Sequence, residues 1–212
     1  MTTKNNKGRP AQITETDIIE CALEIGLPNI SMNSIGKSLG VSATALYRHV
    51  SSKEDLIASC CEHVMKEITV PKDTDWEQYL YTFARNFRTA LLSKPNSVDF
   101  IRHYQNFTPS SSVLANDVLG IFREAQFDAE VGFMAFATVF TRVTDIVQHQ
   151  EQAGRTIKSS AEQKAPSIET EKLPHLEWLL KQSKEVDYEK YFEDGIRITI
   201  EGLKVVYNQS DN

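Results

Sequence analysis

The chain has 212 residues, 41% hydrophobic and 25% charged, enough for one or two domains with a sizeable core and ordinary for a soluble globular protein. No apolar run reaches the ~18 residues that a membrane span requires, and the first thirty residues lack an apolar signal core, so a cytoplasmic location with no membrane partner is expected. The net charge is −6, which argues against a polyanion partner unless the charge is unevenly spread. It is uneven: residues 1–53 hold six basic groups and four acids, a net +2, while the remainder holds 17 and 25, a net −8. Positive charge is thus concentrated at the N-terminal end. Cys21, Cys60 and Cys61 are odd in number and lack metal-ligand spacing. They fit a reduced compartment and predict no metal and no cofactor.

Thr14 and Asp17 form a capping box for a first helix, with Ile18, Ile19, Ala22, Leu23 and Gly26 on its apolar face and Pro28 as its stop. Ser31 caps a second helix, leaving Asn33 near its start as a candidate base or phosphate contact. Ile35 and Leu39 share a face of that helix. Gly40 follows where helices end in the left-handed region. Ser42 caps the next helix, and Val41 with Leu46 makes a hydrophobic staple that sets its entry angle. Two helices around a glycine turn are a helix-turn-helix, and the first helix supports it as in three-helix DNA-binding modules.

At ~100° per residue, Leu46 and Val50 point inward while Thr44 and Arg48 point outward. An outward Arg48 suits a guanine edge in the major groove. Ala43, Ala45 and the Thr44 methyl suit thymine methyl groups. Tyr47, His49 and Lys53 suit phosphates, which position without reading sequence. Ser52 and Asp55 are expected to form a further capping box, so Lys53 opens a fourth helix running to about Thr69, with Pro71 as its stop. Its inward residues are Leu56, Ile57, Cys60, Cys61, Val64 and Ile68, and it is expected to link two domains, 1–53 and 54–212. The adjacent Cys60 and Cys61 are readable as packing or as a thiol sensor.

Everything after Pro71 has helical periodicity and no strand pattern. Trp76, Leu80, Phe83, Ala84, Phe87 and Leu91 line one helix, capped near Thr74 and broken by Pro95. A short segment through Phe100 and Tyr104 ends near Pro109. Val113, Leu114, Val118, Leu119 and Phe122 mark another helix. Asp128 caps a long one carrying Phe133, Phe136, Phe140, Val143 and Val147. Residues 154–172 have little to bury and predict a mobile loop. A short helix from Leu173 to Ser183 precedes a final one capped by Asp187, with Phe192, Ile196, Thr199, Leu203 and Val206 on one stripe. Gly195 and Gly202 on that stripe each cost about 1 kcal/mol against alanine. Close approach by a helix, from a second subunit or from the same one, is the return. No Gly-rich phosphate loop, His-x-x-x-His pair or nucleophile elbow is present, so no catalytic residue is assigned and an enzyme is not expected.

Ile35, Leu39-Gly40-Val41-Ser42, Leu46-Tyr47, His49-Val50, Lys53 and Leu56 together resemble the signature of the TetR family of transcriptional regulators, roughly Ile-Ala-x-x-Leu-Gly-Val-Ser-x-x-x-Leu-Tyr-x-His-Phe-x-x-Lys-x-x-Leu. Gly36 stands where the pattern has Ala, and Val50 where Phe is commoner. Lys7-Gly8-Arg9-Pro10 resembles the basic arm of many members, which lays an Arg in the minor groove; an untidy charged terminus is the other reading. Trp76-Glu77, the run from Asn86 to Ser93, Phe192-Glu193, Gly195-Ile196 and Gly202-Leu203 resemble the branch containing the tetracycline repressors.

The resemblance implies an all-α protein: a helix-turn-helix DNA-binding domain followed by a helical ligand-binding and dimerisation domain. It implies a homodimer, with Gly195, Thr199, Gly202, Leu203 and Val206 as the candidate interface, on a double-stranded DNA operator with half-sites ~34–36 Å apart. It implies release of a repressor by a small-molecule effector of unknown identity, for which His63, Phe87, His103, Tyr104, Phe107, Phe140, Thr141 and Asp145 are the candidate contacts. Phe83 falls where tetracycline repressors use Asn, and Gln148 falls near their acidic ligand. A flat or hydrophobic organic ligand is therefore expected rather than a drug–metal complex. The alternative is a thiol-redox regulator using Cys60 and Cys61.

Overall fold

The computed structural model describes residues 13–159, 173–182 and 186–207. Among them every regular element is helical, and no helix is long and apolar enough to cross a membrane. The chain forms two compact units. One runs through Glu67 and includes Lys94–Ser110; the other comprises Ile68–Ser93 and the chain from Ser111 onward.

In the first unit, α1 (Glu15–Ile25) begins on the expected capping box. The Asp17 N–H donates to Thr14 Oγ1 at 3.1 Å, and the Thr14 N–H donates to Asp17 at 2.8 Å. The Thr14 N–H and the Thr14 hydroxyl, both donating to the Asp17 carboxylate, hold it below the usual carboxylate range. The helix ends at Gly26 (φ 79°), earlier than the expected stop, and Pro28 opens a 3-10 turn at Leu27–Asn29. α2 (Met32–Leu39) is capped by Ser31, whose partner is the Ser34 hydroxyl. Gly40 takes the left-handed conformation (φ 69°) and, with Val41, donates its N–H to the Gly36 carbonyl. A Cβ at Gly36 would lie 2.8 Å from the Val41 carbonyl oxygen. The turn therefore closes more tightly on this chain's glycine than the family's alanine position suggests.

α3 is shorter than the sequence implies, Ala43–Leu46 only. The chain leaves it in tightening turns, with Arg48 donating to the Ala45 carbonyl and His49 to that of Leu46, as helix ends do when the last carbonyls need partners. α4 (Lys53–Lys66) is capped by Ser52, but the Asp55 carboxylate takes the Ser51 N–H at 2.9 Å, so the expected reciprocal box is displaced by one residue. α4 ends before Pro71 and lies wholly in the first unit, rather than running from one core into the next. α6 (Ser97–His103) packs on it.

The core of this unit is Ile18, Ala22, Leu23, Ile35, Leu46, Leu56, Cys60, Val64 and, from α6, Val98 and Phe100, each at most 1% exposed. Asn96, before α6, sits at φ 59°, a region Asn tolerates better than most residues. Its amide donates to the Leu23 carbonyl at 2.6 Å and the Glu24 carbonyl at 3.3 Å. These are last-turn carbonyls of α1, groups a helix cannot satisfy internally.

The second unit is built on α5 (Trp76–Ser93), α8 (Ala129–Ser159) and α10 (Tyr188–Tyr207), which pack mutually, with α7 (Pro109–Glu124) and α9 (Pro174–Gln182). Asp75, not Thr74, caps α5 through the Gln78 N–H, and Asp187 caps α10 as expected. Phe83, Phe87, Phe136 and Phe140 form a ring stack with centroids 4.6–6.1 Å apart, a spacing at which aromatic pairs add to area burial. Tyr79 is buried and donates to Asp117 at 2.6 Å.

Three expected core residues face solvent instead: Val113, Phe133 and Val206 are 65%, 42% and 61% exposed. Their helices bury other members of the expected stripes, Leu114, Val118, Phe136, Val143, Phe192 and Leu203 among them, together with Ala115, Ala135 and Ile200. The first part of the loop expected over residues 154–172 is helical instead, because α8 continues to Ser159; residues 160–172 lie outside the described residues.

Replacing Asn96 with glycine, which accepts the same φ, removes the amide while keeping the backbone. The expected cost is about 1–3 kcal/mol, the penalty for leaving carbonyls unpaired. Chemical denaturation reads it as a lower midpoint at constant slope; an unchanged midpoint contradicts the assignment.

Candidate nucleic-acid interface and effector cavity

The reading surface is built from the inside out. Leu46 (0%) and Val50 (2%) are buried and fix the roll of α3. That roll leaves Thr44, Tyr47, Arg48 and Lys53 exposed and Ala43, Ala45 and His49 half-buried. The inward and outward assignments thus survive the shortening of α3, because the turn after it keeps nearly helical spacing. Asn33 is exposed on α2. Arg9 lies outside the described residues.

The effector candidates do not form one group. His63, Tyr104 and Phe107 line a cavity of about 400 Å³ within the first unit, with Glu15, Ile19 and Glu62 among its other walls. His103 is exposed on α6. Phe87 is fully buried and stacked between Phe83 (5.4 Å) and Phe140 (4.6 Å), where it packs a core and contacts nothing from solvent. Thr141 and Asp145 are exposed on α8, Asp145 paired with Arg142 at 3.3 Å. Phe83 is fully buried in the ring stack and offers no polar atom to a drug–metal complex. Among the described residues no group of three or more His, Cys, Asp or Glu could hold a metal ion.

Sequence reading missed Glu15, Glu62, Thr108 and Pro109 as cavity walls. Glu62 accepts the Ser110 N–H at 2.9 Å, the Ser110 hydroxyl at 2.8 Å and Lys66 at 3.4 Å. Burial alone would raise its carboxyl, but the donors from Ser110, Thr108 and Lys66 outweigh it and hold it below the usual range. The only signal in the sequence was a proline stop followed by serines.

The two adjacent cysteines are 0% and 2% exposed. The Cys61 thiol donates to the Phe100 carbonyl at 3.2 Å. Burial pushes both thiols up, Cys60 further because of its neighbour and Cys61 to about 12. The thiolate is the reactive form, and burial disfavours it at both positions, which supports packing as their role.

The candidate dimer residues also divide. A Cβ at Gly195 would meet the Arg142 guanidinium at 3.0 Å and Ile146 at 3.2 Å, so this glycine makes room within its own chain. Leu203 is buried and Thr199 half-buried. Gly202 is exposed with nothing within 4 Å.

Two family profiles match the chain: bacterial regulatory proteins of the tetR family over residues 18–60, and the tetracyclin repressor-like C-terminal domain over residues 70–207. The chain belongs to the TetR family. It is 29% identical over 187 residues to the tetracycline repressor protein class A from transposon 1721 of Escherichia coli, covering 85% of this chain and 83% of that protein. Its fold is that of ActR from Streptomyces coelicolor, solved in complex with (S)-DNPA, with a TM-score of 0.70 at 22% identity over 92% and 98% of the two chains. It is likewise that of a single-residue variant of TetR from Acinetobacter baumannii in complex with minocycline, with a TM-score of 0.66 at 20% identity over 92% and 98%. Membership in the TetR family makes the chain a DNA-binding transcriptional regulator and not an enzyme.

The burial of all three cysteines predicts that a disulfide reagent such as dithionitrobenzoate modifies none of them promptly in the native protein and all three in denaturant. Rapid native modification of two thiols would restore the redox reading.

Proposed function

We propose that this TetR-family chain is a cytoplasmic, homodimeric repressor that binds a palindromic operator and is released by a small organic ligand. The observation that carries the DNA side is the outward pair Thr44 and Arg48 opposite the buried pair Leu46 and Val50. In this reading Arg48 and Thr44 read base edges, with Ala43 and Ala45 against thymine methyls. Tyr47, His49 and Lys53 anchor phosphates, and Asn33 and Arg9 extend the footprint. The relatives named in complex with small molecules support the ligand response. Phe83 disfavours a tetracycline–metal complex as that ligand.

For the dimer, the surface of α10 supports a stripe different from the one the sequence suggested. Tyr191, Ile198 and Val205 are 40%, 69% and 59% exposed and stand seven residues apart, the repeat by which one helix seats against another. Gly202 lies between the last two with open space over it, which permits close approach. We assign this stripe to the second copy, in place of Gly195 and Leu203, which are committed inside their own chain.

Arg48→Ala should lower affinity for the selected operator about ten- to hundredfold, with little change on unrelated DNA, whereas Lys53→Ala should weaken both alike and reduce the salt slope by about 1. Equal loss on both DNAs for Arg48→Ala would remove direct readout. Ile198→Asp should convert a dimer to a monomer in sedimentation velocity while preserving helicity; a dimer that persists places the interface elsewhere.

A further inference from the structure

The cavity of the first unit has features its packing does not explain. Its volume of about 400 Å³ lies within the range of small-molecule sites, about 300–1,000 Å³. His63 Nε2, on its wall, is shielded from solvent and has no hydrogen-bond partner. Buried polar groups are nearly always paired, so an atom of this kind marks a place where a partner belongs. Phe107, also on the wall, is 63% exposed, an aromatic ring left in water beside the half-buried Tyr104.

The charge in the cavity is unequally committed. Glu62 is occupied by Ser110 and Lys66, and Lys66 is in turn the partner of Glu62. Glu15 receives only a long contact from the Ser59 hydroxyl, 3.5 Å. The carboxylate still available is thus that of Glu15, on the first turn of α1.

We propose that this cavity is an effector site for a small planar aromatic cation. The ring would lie against Tyr104 and Phe107, whose faces attract positive charge. The cationic group would pair with Glu15, and a hydrogen-bonding atom would meet His63 Nε2. The site touches α1 and α4, so its occupant acts on the two helices that pack with each other and carry the reading head. The proposal rests on the ligand-responsive reading above and narrows it to one cavity and one chemical class.

The test uses three probes of one shape: 2-naphthamidinium, 2-naphthamide and 2-naphthoate, titrated calorimetrically into the full-length protein without DNA. The cation should bind at least tenfold more tightly than the amide, and the carboxylate most weakly. Glu15→Gln, an exposed change, should abolish the preference for the cation, and Phe107→Ala should weaken all binding about tenfold. Comparable affinity for the three probes, no binding by any, or affinities indifferent to both substitutions would overturn the proposal. Operator binding measured with saturating 2-naphthamidinium separates the two readings. Release supports both. Cation-selective binding that leaves operator affinity unchanged upholds the site and refutes ligand release through it.

Discussion

The Asn96 amide joins the end of the supporting helix to a segment 73 residues further along the chain. α1 ends at a glycine, and the Leu23 and Glu24 carbonyls of its last turn find no donor within the helix. Asn96 supplies the donor, and its left-handed backbone turns the chain directly into α6. Around this bond the Cys61 thiol reaches the Phe100 carbonyl, and Lys94 lies 3.6 Å from Glu20. The reading head is therefore not an isolated three-helix module. It includes a strap that the chain delivers only after α5 has been made.

This arrangement gives the DNA-binding unit its mechanical character. Each helix of the head is capped by a short-range bond, at Thr14, Ser31, Ser42 and Ser52, so each is well defined locally. Their mutual packing depends on apolar contacts from α4 and on the strap. A molecule seated among α1, α4 and the turn after α6 would act on those contacts directly. A ligand shifts such an equilibrium only by its difference in affinity for the two arrangements, and a cavity with an orphaned imidazole nitrogen offers a place for that difference to arise.

Local physics was legible in the sequence wherever one residue answers to its neighbours. The capping residues Thr14, Ser31, Ser42, Ser52 and Asp187, the left-handed Gly40, the inward Leu46 and Val50 and the buried faces of α4 and α5 were readable, whereas the cap of α5 falls on Asp75 rather than Thr74. Non-local commitments were not. Phe87 looks like a ligand contact until its neighbours Phe83 and Phe140 are seen to enclose it. Gly195 looks like an interface residue until Arg142 and Ile146 are found above it. Glu15 looks like a solvated helix-terminal acid, and only the fold sets it across a cavity from Tyr104, 89 residues on. The length of α3 was also misjudged, because helical spacing persists through a turn that lacks full helical bonding.

If the strap and the head are one cooperative body, native-state hydrogen exchange will show it most directly. Slow amides of α1, α4 and α6 should then exchange through openings of a common free energy, as cooperative units do. Amides of α6 that exchange freely while those of α1 and α4 stay protected would contradict the account.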